Sequence, residues 1–364
     1  MKTDRLLLTS YLIASMFLLA GCNTQNEEYY TLEDFSSVEK IDTHVHMNVY
    51  SPILSEQAEQ DNFRLLTVNV GSPSYPDIEE QQKVARNFLH QDNSRISYLT
   101  TIPMDDWNDP EVWQNNAIEY LKKSFENGAI GVKVWKNIGM EFKNIDGEFV
   151  MIDNPQFERV IDFIEENNKP LLGHIGEPHS CWQPLEEIPV KFIRDYYEGH
   201  PQYHMYLHPE NPSYDEIIES RNALLDKNPR LSFIGAHLGS MESSIEMMSE
   251  HLDIYPNMVY DMAHRVTLLQ YLTQQDREAV REFFIKYQNR FVYSTDIQHH
   301  VHSEPEAIRD LAKHTWLQDW EYFVTDNEMV NTEVNETSFR GLKLPKEVVD
   351  KIYRINAENV YPGI

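Results

Sequence analysis

The sequence predicts an α/β chain whose parallel sheet closes as a (β/α)8 TIM barrel. Two observations carry this: eight short apolar runs recur from residue 38 to 295, and most are separated by longer amphipathic segments. A third places the chemistry. Several runs end in a histidine or an aspartate, and in barrels of this class the reacting side chains sit at the C-terminal ends of the strands.

Taken in order, strands are expected at 38–45, 64–70, 96–103, 129–135, 171–175, 231–237, 258–262 and 290–295. Helical periodicity falls between them at 79–91, 111–127, 156–168, 214–226, 241–252 and 277–287. Residues 48–62 leave room for only a short or irregular helix. Met140–Ile152 holds Asn144-Ile145-Asp146-Gly147, a hairpin turn signal between apolar residues. The stretch 177–212 is rich in Pro, His, Trp and Tyr and has no clear period, so it reads as a lid or binding wall.

The body expected over 38–364 is preceded by two segments. Lys2 and Arg5 stand before an apolar run, Leu6 to Ala20, which is short for a membrane span and suits a signal peptide over 1–21. The run ends in Leu19-Ala20-Gly21-Cys22, which resembles the bacterial lipobox. That resemblance implies lipidation of Cys22, a lipid-anchored tether over 22–37, and an exported lipoprotein of the outer membrane. Glu27-Glu28 resembles an acidic surface-export signal, so either the periplasmic face or the cell surface is expected.

Only Cys181 remains beyond Cys22, so the mature chain has no intrachain disulfide to form. The formal net charge of −28 disfavours nucleic acid and anionic lipid as partners, since both are repelled. Membrane contact is therefore expected through the Cys22 anchor alone, with a small molecule as substrate.

The first strand ends in His44-Val45-His46. Side chains at i and i+2 on a strand share a face, so both imidazoles can reach one point. Strand five ends in His174, strand six in His237 and strand eight in Asp296. One histidine after an apolar strand is usually a hydrogen-bonded core residue. Four strands obeying the same rule point to a metal centre.

With Ile130-Gly131-Val132-Lys133, Gly235-Ala236-His237-Leu238-Gly239, Tyr293-Ser294-Thr295-Asp296 and Ile352-Tyr353-Arg354-Ile355-Asn356-Ala357-Glu358, nearly all of 38–361 resembles the amidohydrolase superfamily. The likeness is to its amidohydrolase-2 branch, that of aminocarboxymuconate-semialdehyde decarboxylase. The resemblance implies one divalent metal held by His44, His46, His174 and Asp296, with His237 beside it as acid/base. Zinc is the first expectation; an all-N/O set also suits Mn2+ or Fe2+.

In this reading Asp296 takes and returns the proton of an activated water. Lys133 is expected to hold a substrate carboxylate; in binuclear relatives a lysine near this place is carboxylated and bridges two ions. Arg265, Glu177 and Trp182 complete the expected substrate contacts. The expected activity is hydrolysis of a small amide, ester or lactone. Nonhydrolytic decarboxylation of a small carboxylic acid is the alternative, and a ligand-binding surface lipoprotein on a retained barrel is a third reading.

Overall fold

A computed structural model of the protein describes residues 28–92 and 95–364. The signal peptide expected over 1–21, Cys22 and the first part of the tether lie outside these residues. The rest of the expected tether, 28–37, is packed on the body: Phe35 is buried, Tyr30 donates to Asp350 and Trp320 donates to the Thr31 carbonyl.

Nine parallel strands form one curled sheet: β1 (Lys40–Met47), β2 (Phe63–Val68), β3 (Ile96–Thr101), β4 (Gly131–Val134), β5 (Leu171–Gly173), β6 (Phe233–Gly235), β7 (Met258–Asp261), β8 (Phe291–Val292) and β9 (Ile297–His299). They lie in the order β8-β7-β6-β5-β4-β3-β2-β1-β9. The eighth expected strand, 290–295, is realised as the short β8, which pairs β7, and a ninth strand not expected from the sequence, β9, follows Asp296 and pairs β1. Between them Thr43 N donates to Tyr293 O at 3.0 Å and Asp296 N to His44 O at 2.8 Å, so the curl returns to its first strand.

Side chains alternate between two apolar layers, as the pleat requires. Leu66, Leu99, Leu172, Ile234, Val259 and Val292 pack inside the curl, while Leu65, Val132, Leu171, Phe233, Tyr260 and Phe291 pack outward against helices. Strand β1 breaks this alternation. Ile41 faces inward and Val45 outward although both positions are odd. The cause is a bulge: β1 advances from Asp42 to Val45 while β2 advances only from Leu65 to Thr67. One inserted residue flips the pleat, and that flip turns His44 and His46 inward.

The expected helices form, with differences at two places, and further helices, among them Val266–Gln275 and Pro305–Val324, form where no period was assigned. The helix expected from 241 begins only at Ile245, because Ser244 caps it by accepting from Met247 N. The stretch 177–212 is not wholly irregular: it contains the helix Lys191–Gly199, whose first amides bond to Val334 O and Glu333 O. The Asn144–Gly147 turn does form a hairpin, with Lys143 bridged to Phe149 and Gly147 at φ +81°. The long helix Pro305–Val324 covers the outside of β1 and β2, stacking Trp316 on Phe63 at 4.3 Å.

Candidate metal centre and its cavity

A cavity of about 410 Å3 opens where the strands end. Strand parity accounts for most of its polar lining. On β4, Val132 and Val134 pack outward, which sends Lys133 inward. Inward Leu172 is followed two residues later by His174; inward Val259 is followed by Asp261, which does not line the cavity but lies buried behind His44.

His237 does not follow parity. Ile234 and Ala236 already face inward, so the next residue should point outward. Instead the chain turns left-handed at His237, Leu238, Gly239 and Ser240, with φ of 56, 55, 63 and 59°. Each non-glycine residue held there costs about 1–2 kcal/mol. The turn is held by Tyr214, whose hydroxyl donates to Ser240 O at 2.7 Å, and by Arg221, which donates to Gly239 O. A side chain at 239 would bring its Cβ within 2.6 Å of the Tyr260 ring, so only glycine fits. His237 thereby lines the cavity.

The structure brings His44, His46 and Asp296 together, with one ligand atom from each within 4.8 Å of the others. Asp296 Oδ1 lies 3.1 Å from His46 Nε2 and 3.7 Å from His44 Nε2. The opposite ring nitrogens are occupied: His44 Nδ1 donates to Asp261 Oδ2 at 2.7 Å and His46 Nδ1 to Val68 O at 2.8 Å. Their protons are therefore on Nδ1, and both Nε2 lone pairs are free for a cation.

His174 lines the same cavity but stands outside that cluster of three. Its ring lies 4.1 Å from that of His237, and its buried Nε2 has no hydrogen-bond partner. His237 Nδ1 donates to Ala263 O at 2.8 Å, leaving its Nε2 as an acceptor.

The electrostatics suit a cation. Burial, then the Lys133 charge, holds His44 below its ordinary value, and His174 is pushed well below it by burial, Lys133 and Lys136. His237 is pushed down by burial and by His174. These imidazoles are thus neutral, as metal ligands must be. Burial opposes the Asp296 charge, and with His44 and His46 neutral and unprotonated at Nε2 it is a bound cation that would hold this carboxyl ionised. A cluster of free Nε2 atoms, a carboxylate and an orphaned buried His174 nitrogen fits a divalent ion.

Of the expected substrate contacts, Arg265 and Glu177 line the cavity as ion-paired side chains, and Trp182 does not line it. Arg265 is buried and already paired, donating from Nε to Glu242 Oε1 at 2.6 Å and from Nη2 to Glu177 Oε2 at 3.2 Å. Glu177 also pairs with Lys136, so it holds two cations beside the cavity. Trp182 is not among the residues lining the cavity: its indole donates to Pro212 O and its ring packs on Tyr214 at 5.6 Å. The aromatic wall is Tyr75, Trp135, Phe192, Tyr196, Tyr197 and Tyr203. Lys133 Nζ, by contrast, is buried and without a partner.

Sequence reasoning passed over Asp261 and Glu242 as structural anchors. The signal for Asp261 was its place at the end of strand seven; Glu242 gave none, because its role comes from Arg265. His299, His300 and His302, which follow Asp296 in the chain, do not line the cavity; Gln298 does.

Histidines and an aspartate gathered at the strand ends of a curled parallel sheet are the layout of a metal-dependent enzyme. A family model described as amidohydrolase matches residues 41–363, and the chain belongs to that family. No curated protein matches the sequence. The structure is similar to that of an amidohydrolase II, with a TM-score of 0.52 and 15% identity over 89% of this chain and 99% of that one. It is similar also to a putative 2-pyrone-4,6-dicarboxylic acid hydrolase from Pseudomonas putida, with a TM-score of 0.52 and 11% identity over 89% and 98%. At such identity these likenesses speak for the fold alone.

Proposed function

We propose that the protein is a metal-dependent hydrolase of a small amide, ester or lactone, built on a (β/α)8 barrel with its ion at the C-terminal strand ends. The observation that carries this reading is the cluster of His44 Nε2, His46 Nε2 and Asp296 with the two Nδ1 protons tied back. Zinc is the ion we favour, held by His44, His46 and Asp296 with His174 completing the set. Bound there, the ion would supply a Lewis acid and lower the pKa of a water to near neutrality.

The chain's own residues do the rest. Asp296 takes a proton from the attacking water and returns it to the leaving group. His237 offers its unprotonated Nε2 from the adjacent wall and assists that transfer. Lys133 binds an anionic group of the substrate, since its ammonium lacks a counterion at hydrogen-bond distance. The wall from helix Lys191–Gly199 limits entry of bulk water.

Lys133 also supports a second reading, loss of carbon dioxide from a small carboxylic acid, because a carboxylate would seat on the same ammonium. The test is a panel of lactones, esters, amides and carboxylic acids assayed on zinc-loaded protein for acid release and for carbon dioxide. Asp296→Asn should lower hydrolytic turnover by about 10²–10⁴ while leaving the fold intact. Near-normal turnover in that variant would remove the proton-transfer role, and carbon dioxide as product would select the second reading.

A further inference from the structure

A second cavity of about 520 Å3 adjoins the first. Val70, Ser72, Lys133 and Trp135 line both, so the two share a wall rather than merely a neighbourhood. Their chemistry differs. The first holds the imidazoles, Asp296 and the paired charges of Lys136, Glu177 and Arg265. The second is walled by Ile102, Met104, Ile138, Phe142 and Phe157, from the segments after β3 and β4 and the turn before the helix Glu158–Glu166.

Lys133 is the junction. Its ammonium is buried without a hydrogen-bond partner, a costly state unless a ligand supplies one. A ligand anchored on Lys133 has the polar cavity on one side and the apolar one on the other. The acids Asp77, Asp105 and Glu141 also line the second cavity, and Lys133 is its only basic side chain among the described residues. An anionic distal end is therefore disfavoured there.

We infer that the two cavities form one substrate site, and that the substrate is amphipathic. Its reacting head lies against His44, His46 and Asp296, a polar or anionic group beside it meets Lys133, and a neutral alkyl or aryl arm passes Trp135 into the second cavity. This rests on the metal-site reading above and adds the class of substrate: a carbonyl compound carrying an uncharged apolar arm.

The probe is a series of straight-chain hydroxamates, from acetohydroxamate to octanohydroxamate, titrated calorimetrically into the full chain loaded with zinc. The hydroxamate head takes the ion and the chain reports on the second cavity. Affinity should rise about threefold to fourfold per methylene, the value of apolar burial. Met104→Glu places a charge on the apolar wall and should flatten the series, with circular dichroism and melting establishing that the variant is folded. In a crystal structure with octanohydroxamate, the chain should lie between Trp135 and Met104. Acetohydroxamate binding with no dependence on chain length, or a chain leaving through the open mouth, would overturn the arm site and leave the metal site standing. If no hydroxamate binds at all, the metal-site reading fails and takes the arm site with it.

Discussion

Asp261 Oδ2 lies 2.7 Å from His44 Nδ1, while its other oxygen accepts the backbone N–H of His237 at 2.6 Å and of Ala263 at 3.1 Å. One carboxylate at the end of β7 thus fixes the tautomer of a β1 side chain and the left-handed turn that carries His237. Asp261→Asn keeps the size but presents an amide nitrogen to one of these donors. Metal affinity should fall about 10–100-fold, the usual effect of losing an orienting partner. Competition with a chelator measures it, and unchanged affinity would remove Asp261 from the centre.

Lys133→Met removes a buried ammonium that has no hydrogen-bond partner, so melting temperature should rise. KM for substrates with an anionic group should rise by about tenfold or more, the worth of a charged hydrogen bond, while a neutral analogue is unaffected. Burial pushes the Lys133 ammonium down to about 8 against the opposing pull of Asp261 and Asp296. In the wild type, affinity for the anionic substrate should therefore decline as pH passes about 8, a decline absent from the variant. Equal KM values for both substrates in both proteins would sink the anchoring role.

Lys40 is buried below the sheet, donating to Phe35 O and Val38 O beneath the rings of Phe35, Phe63 and Trp320. Burial pushes its ammonium down to about 7. The folded pKa is below the unfolded value, so the folded state binds fewer protons between them. The penalty is full below about 7 and is relieved as pH rises toward the unfolded value. Compared with Lys40→Met, the wild type should gain about 2 kcal/mol between pH 6 and pH 9. Chemical denaturation at the two pH values reads this directly, and parallel curves for both proteins would contradict it.

For the leader we propose lipidation at Cys22, on Leu19-Ala20-Gly21-Cys22. Cys22→Ser should move the protein from the membrane fraction to the soluble fraction in a bacterial host that processes lipoproteins. Retention in the membrane fraction would dismiss the lipid anchor.

Much of the scaffold was legible because its signals are local. An apolar run of a few residues, a polar stop and the next amphipathic segment are written within a dozen residues, and β1 to β7 fall where those runs do. His44 and His46 were legible for the same reason, since a two-residue spacing implies a shared face. What local pattern cannot state is which face. That was decided by the bulge between Asp42 and Val45, a mismatch with β2 that no periodicity in β1 records.

Charge pairing was equally hidden. Arg265 reads as a free cation from its neighbours, yet Glu242 and Glu177 reach it from 23 and 88 residues away. Trp182 reads as a cavity wall, but the fold of its own loop turns it to Pro212.

By itself, then, the sequence determined the alternation of strands and helices and the residues standing at the strand ends. Both follow from short-range hydrophobic period and side-chain chemistry. Only the tertiary structure decided which of those residues meet: the inward flip of His44 and His46, the left-handed turn of His237, the orphaned ammonium of Lys133 and the neutralised Arg265. Each depends on a backbone register or on partners supplied, or not supplied, by segments distant in the chain, and a free energy of pairing between segments is not encoded in any one of them.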